Sequence, residues 1–373
     1  MTHLLVALSA HGYGHAAQTA PVVNALRARL PDLRLTLRTA LPRPFLETRF
    51  EGEFELIAAA DDFGMAMDSA LDIALAESAC RYVEWHVDWE ERVARTAAEL
   101  AQLAPDLVLA NVPYLTLAAA RAAAIPAVAL CSLNWADIYR HFFGARPEAG
   151  RILDQMREAY DSALTFLHPE PGMPMEDLRN RVPIGPIARM GTDRRAELER
   201  RLGLSPGTRL VLVALGGIDL HLDMNSWPRI PGVHWLAAAS WGAPRPDVSA
   251  IEALGTHFTD ILRSSDALVG KPGYGSFTEA AVNGVPVLYV SRDEWPEEPY
   301  LIRWLQCHGR CLEIGRSALE RGLLGGALEA LWRLPDVSPP PPSGVAQAAD
   351  FLRRLLAPDM LAQPAHDRIP VTR

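Results

Sequence analysis

"VGKPGYGSFTEAAVNGVPVLYV", residues Val269–Val290, holds a whole unit of α/β architecture. An apolar strand ends at Lys271, Gly273 and Gly275 form a turn, a helix begins near Ser276, and "VPVLYV" supplies the next strand. Strand, turn, helix and strand in that order predict parallel pairing with helices on the sheet faces. The turn also has a chemical use. A helix start leaves N–H groups unpaired and carries partial positive charge, so Lys271, Gly273, Gly275 and Ser276 suit a diphosphate. Glu279, about one turn further on, is placed to accept hydrogen bonds from ribose hydroxyls. The loop after "VPVLYV" carries Arg292, Asp293, Glu294, Glu297 and Glu298, whose carboxylates can hold sugar hydroxyls. The plain alternative is a solvated acidic loop.

Working outward, the same alternation fills the chain. "HLLVAL", "LRLTLRT", "FELIAAA", "DLVLAN", "AVALCS" and "ALTFL" read as strands in the first half, with "VEWHVDWEERVARTAAELAQL" and "LTLAAARAAA" as helices between them. "VPIGPI", Val182–Ile187, reads as a linker. Thr192 is expected to cap the helix "DRRAELERRLG", which Gly203 stops. Strands "RLVLVAL", "VHWLAAA", "ALVGK", "VPVLYV" and "CLEI" then form a second doubly wound unit. The proline spacer "DVSPPPPSG" leads to a last helix, "VAQAADFLRRLL". The expected organisation is residues 1–185, residues 186–335, and a spacer, helix and loose tail over 336–373.

Two other glycine loops follow strands. In "SAHGYGHAAQ", Ser9–Gln18, Gly12 and Gly14 permit a tight turn into a helix, and His11 and His15 flank them. The spacing Gly12-x-Gly14-x-x-Ala17 also fits a relaxed dinucleotide fingerprint. "LRLTLRT" ends on Arg38 and Thr39 rather than an acid, which argues against a nicotinamide enzyme. In "ALGGIDLHLDMN", Gly216 and Gly217 allow backbone N–H groups close to a diphosphate.

Composition narrows the classes. With 373 residues, 49% apolar and 22% charged, the chain suits two ordinary globular domains. A net charge of −9 with no basic stripe argues against nucleic acid. No apolar run is long enough for a membrane span, and the opening residues lack the basic start of a signal peptide. Cys80, Cys131, Cys307 and Cys311 are scattered, as expected of a cytoplasmic protein. Cys307, His308 and Cys311 have no second ligand cluster, and Asp219, His221 and Asp223 give no persuasive metal pattern. No feature specifies an oligomer.

"HGYGHA", "SLNWADIYRHF", "GKPGYGSFTEA" and "RDEWPEEPYL" occur in this order across roughly residues 3–310. Together they resemble blocks of the GT-B glycosyltransferases, and among these the family containing the glycosyltransferase-like N-terminal part of plant L-arabinokinases. The glycine–helix–glutamate block is similar, more distantly, to the donor-site signature of UDP-glycosyltransferases and the peptidoglycan GlcNAc-transferase. The resemblance implies two facing Rossmann-like domains, the first for an acceptor and the second for a nucleotide-diphosphate sugar. It implies a last helix that crosses back to the first domain. It implies a metal-independent, inverting transfer with UDP as the expected carrier and no other cofactor.

Carried over by position, Gly217, Gly275 and Ser276 face the diphosphate and Glu279 the ribose. Asp293, Glu297 and Glu298 then meet the donor sugar, and His15 is the general base on the acceptor hydroxyl. Asn111 in "LANVPYL" stands where an aspartate orients that base in the related pattern. Asp137 in "NWADIY" is a candidate substitute, with Trp135 and Tyr139 as acceptor walls or, alternatively, plain core. A nucleotide-sugar epimerase or a non-catalytic nucleotide-sugar sensor are the competing readings.

Overall fold

The computed structural model describes residues 2–216, 222–242, 245–292 and 294–357. Two parallel sheets dominate it. The first comprises β1 (His3–Leu8), β2 (Arg34–Arg38), β3 (Glu55–Ile57), β4 (Leu107–Asn111), β5 (Ala127–Leu130), β6 (Thr165–Pro169) and β7 (Arg181–Ile184), in the order β3-β2-β1-β4-β5-β6-β7. The second comprises β8 (Arg209–Ala214), β9 (Val233–Ala237), β10 (Val248–Ala250), β11 (Ala267–Gly270), β12 (Val287–Tyr289) and β13 (Cys311–Glu313), in the order β10-β9-β8-β11-β12-β13. All six residues of β1 are buried, because helices cover both faces of a central parallel strand.

Several local expectations change. Val182–Ile187 is not wholly a linker, since β7 runs to Ile184. Among the described residues this strand pairs only with β6, and an edge place tolerates Pro183, which has no N–H to donate. The long helix expected from "VEWHVDWEERVARTAAELAQL" is two helices, Leu75–Val87 and Trp89–Leu103, broken at Asp88. Thr192 does not cap the following helix, Arg195–Leu202; its N–H donates to Asp260 instead, and Asp193 takes the Arg195 N–H.

The last helix, Ser343–Leu356, crosses back and lies on the first helix, Gly14–Arg29. Ala348, Ala349 and Leu352 join Val22, Val23 and Leu26 in one apolar cluster, and Asp350 pairs with Arg29 at 3.5 Å. Its entry is tight. A Cβ on Gly344 would lie 1.9 Å from the Gly185 carbonyl oxygen, so only glycine lets the backbones meet.

Candidate functional site

Each sheet reverses its strand order once, between β1 and β4 and between β8 and β11. Such switch points open a crevice beyond the strand ends. "SAHGYGHAAQ" leaves β1 at the first, and Gly216 and Lys271 leave β8 and β11 at the second. The halves touch here: a Cβ on Gly275 would be 3.4 Å from the Ala17 Cβ.

At the first crevice Gly12 has φ +77°, a turn conformation that glycine adopts without strain, and Ser9 N–H bonds the Asn111 carbonyl at 2.9 Å. Asn111 Nδ2 donates to Gln18 Oε1 at 2.8 Å and to Thr19 Oγ1 at 2.9 Å. Its Oδ1 is thereby the acceptor for His15 Nδ1, 2.9 Å away. Nδ1 must carry the proton, and Nε2 of the neutral ring keeps its lone pair. Burial lowers His15 to about 4, against a smaller upward pull from the Asn111 bond.

His11, the first of the two histidines that flank the glycines, sits between two indoles. Its ring is edge-on to Trp135 at 5.2 Å and stacked on Trp295, from the second half, at 5.8 Å. Burial, followed by the positive charges of His15, Lys271 and Arg292, lowers it to about 3. Trp135 is fully buried and donates its indole N–H to Asp62 at 2.7 Å; Ser9 Oγ donates to the other oxygen at 2.8 Å. With neutral donors only, burial dominates and raises Asp62 to about 7.

Two sequence assignments near this crevice need correction. Asp137 does not partner His15. It closes its own helix start, accepting from Asn134 Nδ2 at 2.9 Å and from Arg140 at 2.8 Å. Tyr139 lines no open wall; it is buried against Tyr82 and Phe143, on the inward face of the helix Trp135–Phe143.

At the second crevice Gly216 has φ +87°, and a Cβ there would meet Lys271 Cε at 3.5 Å. The helix Tyr274–Val282 begins directly after Gly273, so Gly275 and Ser276 lie in its first turn, where N–H groups lack helical acceptors. Lys271 Nζ donates to the Ala70 carbonyl at 3.0 Å, and crowding by protein, then by Arg292, lowers it to about 7. Gly217 and Asp293 lie outside the described residues.

The remaining expected carboxylates already have partners. Glu279 is buried and accepts from Arg49 of the first half at 3.0 Å. Glu297 accepts from Ser132 Oγ, also of the first half, at 2.8 Å. Glu298 accepts the Arg292 backbone N–H at 2.9 Å and pairs with its guanidinium. Burial raises all three above the usual carboxylate range. A cavity of about 400 Å³ adjoins Arg49, lined also by Thr48, Arg189 and His257.

Sequence reading missed Arg49, Asp62 and Ser132. "ETRFEG" around Arg49 looks like ordinary charged surface, and Ser132 only opens the quoted block "SLNWADIYRHF", ahead of the aromatic residues that draw the eye. The doublet Asp61–Asp62 was the one usable signal, two acids just beyond an apolar strand. Among the described residues no group of three or more His, Cys, Asp or Glu is arranged to hold a metal ion.

No family model matches the chain. An L-arabinokinase from Arabidopsis thaliana is 28% identical over 333 residues, which cover 87% of this chain and 31% of that protein. The chain thus spans about a third of the relative's length. Among solved structures, the glycotransferase of kitacinnamycin superposes with a TM-score of 0.60 at 17% identity, covering 95% of each chain. A calicheamicin glycosyltransferase gives 0.57 at 17% identity, over 96% of this chain and 94% of that one. An Arabidopsis thaliana UGT complexed with UDP gives 0.57 at 14% identity, over 96% and 95%.

Proposed function

Taking the GT-B fold as the premise, we propose that this chain moves a sugar from a nucleotide-diphosphate donor to the hydroxyl of a small-molecule acceptor. UDP is the expected carrier, transfer inverts the anomeric centre, no metal takes part, and the cytoplasm is the expected setting. Residues 1–185 hold the acceptor and residues 186–335 the donor. One observation supports this above the others. The two switch points face each other, a histidine with a free Nε2 on one and a glycine-led helix start with a lysine on the other.

In this reading His15 Nε2 takes the acceptor proton while the acceptor oxygen attacks the anomeric carbon. The bond from that carbon to the diphosphate oxygen breaks, with its electron pair leaving on the diphosphate. Lys271 and the N–H groups of Gly275 and Ser276 stabilise the departing charge. Glu279 takes the ribose once Arg49 releases it, and Glu297 with Asp293 takes sugar hydroxyls.

A thermal-shift panel with UDP, dTDP, GDP, ADP and NADPH tests the donor site. A ligand at 100 times its Kd should add about 2.7 kcal/mol. A response to one nucleoside diphosphate supports the reading, and a response to NADPH alone overturns it. His15→Ala should then keep nucleotide binding and lose transfer. Asn111 favours a second reading, a nucleotide-sugar binder without turnover, because a neutral amide cannot stabilise imidazolium by charge. That reading predicts UDP binding with no sugar transfer in either protein.

A further inference from the structure

Residues 66–74 of the first half form a small hairpin. Ala74 N–H bonds the Ala66 carbonyl at 2.9 Å, Met67 bridges Ile73, and Ser69 Oγ donates to Asp72 at 2.6 Å. Its tip leaves its own half. Leu71 is buried in an apolar cluster whose other fully buried members, among them Val211, Val213, Leu215 and Trp227, belong to the second half. Arg316 grips Asp72 with two bonds of 2.7 Å. Ala70 is fully buried, and its carbonyl takes the Lys271 ammonium at 3.0 Å.

We propose that this hairpin is a plug at the donor site: docked, it occupies Lys271 and the ends of β8 and β11, and a donor diphosphate must dislodge it. The inference rests on the donor reading above. Lys271 and Gly216 are neighbours at the second switch point, so a diphosphate reaching the Gly216 backbone meets the same ammonium that Ala70 holds. A charged phosphate oxygen outcompetes a neutral carbonyl for that ammonium. The apolar lodging of Leu71 and the Arg316–Asp72 pair oppose the exchange, and they set how much affinity is lost to undocking. Plug and donor are mutually exclusive on Lys271, so docking lowers donor affinity and donor binding favours the undocked hairpin.

The direction of the effect separates a plug from a lid that closes over bound donor. Hydrogen exchange of residues 66–74 is measured on the full chain without ligand, with UDP and with inorganic pyrophosphate, alongside calorimetric Kd values. For a plug, UDP raises exchange across 66–74, and Arg316→Ala, whose pair is half-exposed, raises exchange without ligand and tightens UDP about five-fold. Leu71→Ala, still apolar, moves both readouts the same way. UDP-induced protection of 66–74, or unchanged or weaker UDP binding in both variants, overturns the plug. If neither pyrophosphate nor any of UDP, dTDP, GDP and ADP binds wild type or variants, the donor reading itself falls and takes the plug with it. Binding without the expected direction defeats the plug alone.

Discussion

The two crevices solve the problem of buried polar groups differently. At the first, His15, Asn111, Gln18 and Thr19 bond to one another within a single half, through neutral hydrogen bonds around one amide that leave the buried Gln18 Nε2 without a hydrogen bond. At the second, Glu279 and Glu297 draw their partners, Arg49 and Ser132, from the opposite half. The first network is therefore set whenever its own half folds. The second exists only while the halves are together. Preorganisation belongs to the proposed base, exchange to the proposed donor site.

The largest expected effect breaks the second network. Arg49→Ala leaves a buried carboxylate without its cation and should cost about 3 kcal/mol in urea unfolding. Adding Glu279→Gln should recover most of that loss, because the uncompensated charge is then gone. A cost well under 1 kcal/mol for Arg49→Ala would show that the pair does not hold the halves.

Titration sharpens the contrast, because His15 and the three buried glutamates respond to pH with opposite sign. His15 is lowered to about 4, so between about 6.5 and 4 the unfolded chain binds protons that the native chain refuses. Its contribution is present above pH 6.5 and lost as pH falls through that window. His15→Gln keeps a donor for Asn111 and should reduce the acid loss by about 2–3 kcal/mol, read as urea midpoints against pH. Glu279, Glu297 and Glu298 are raised, so their contribution is lost as pH rises past the ordinary carboxylate range. Glu297→Gln should flatten that decline while still accepting the Ser132 hydroxyl.

Asn111→Asp tests whether the first network lacks only charge. It keeps an acceptor for His15 Nδ1, and Gln18 can turn its unpartnered Nε2 toward the new carboxylate. The His15 midpoint followed by NMR should rise by about one unit. No rise would separate the ring from position 111. The smallest effect is Arg316→Ala, which should change global stability by under about 1 kcal/mol, because both partners are half-exposed.

Much of this was legible in the sequence. Continuous apolar runs gave the central strands, and glycines directly after strands marked both switch points. The pairing of His15 with position 111 followed from the family resemblance of two short blocks, and the geometry joins those two residues. Asp137 misled because its place beside Asn134 serves a helix start, a local use that a search for histidine partners overlooks. Tyr139 misled because an aromatic stripe on a helix looks the same whether it faces core or cleft.

By itself the sequence determined the two doubly wound units and which loops meet at their crevices. Hydrophobic periodicity and glycine turns act over a few residues, and parallel pairing follows from their alternation. Only the tertiary structure decided which groups the buried carboxylates and Lys271 hold. Arg49 reaches Glu279 across 230 positions and Lys271 reaches Ala70 across 201. Such partners are chosen by how two packed bodies bring charges out of water together, and no local pattern encodes that choice.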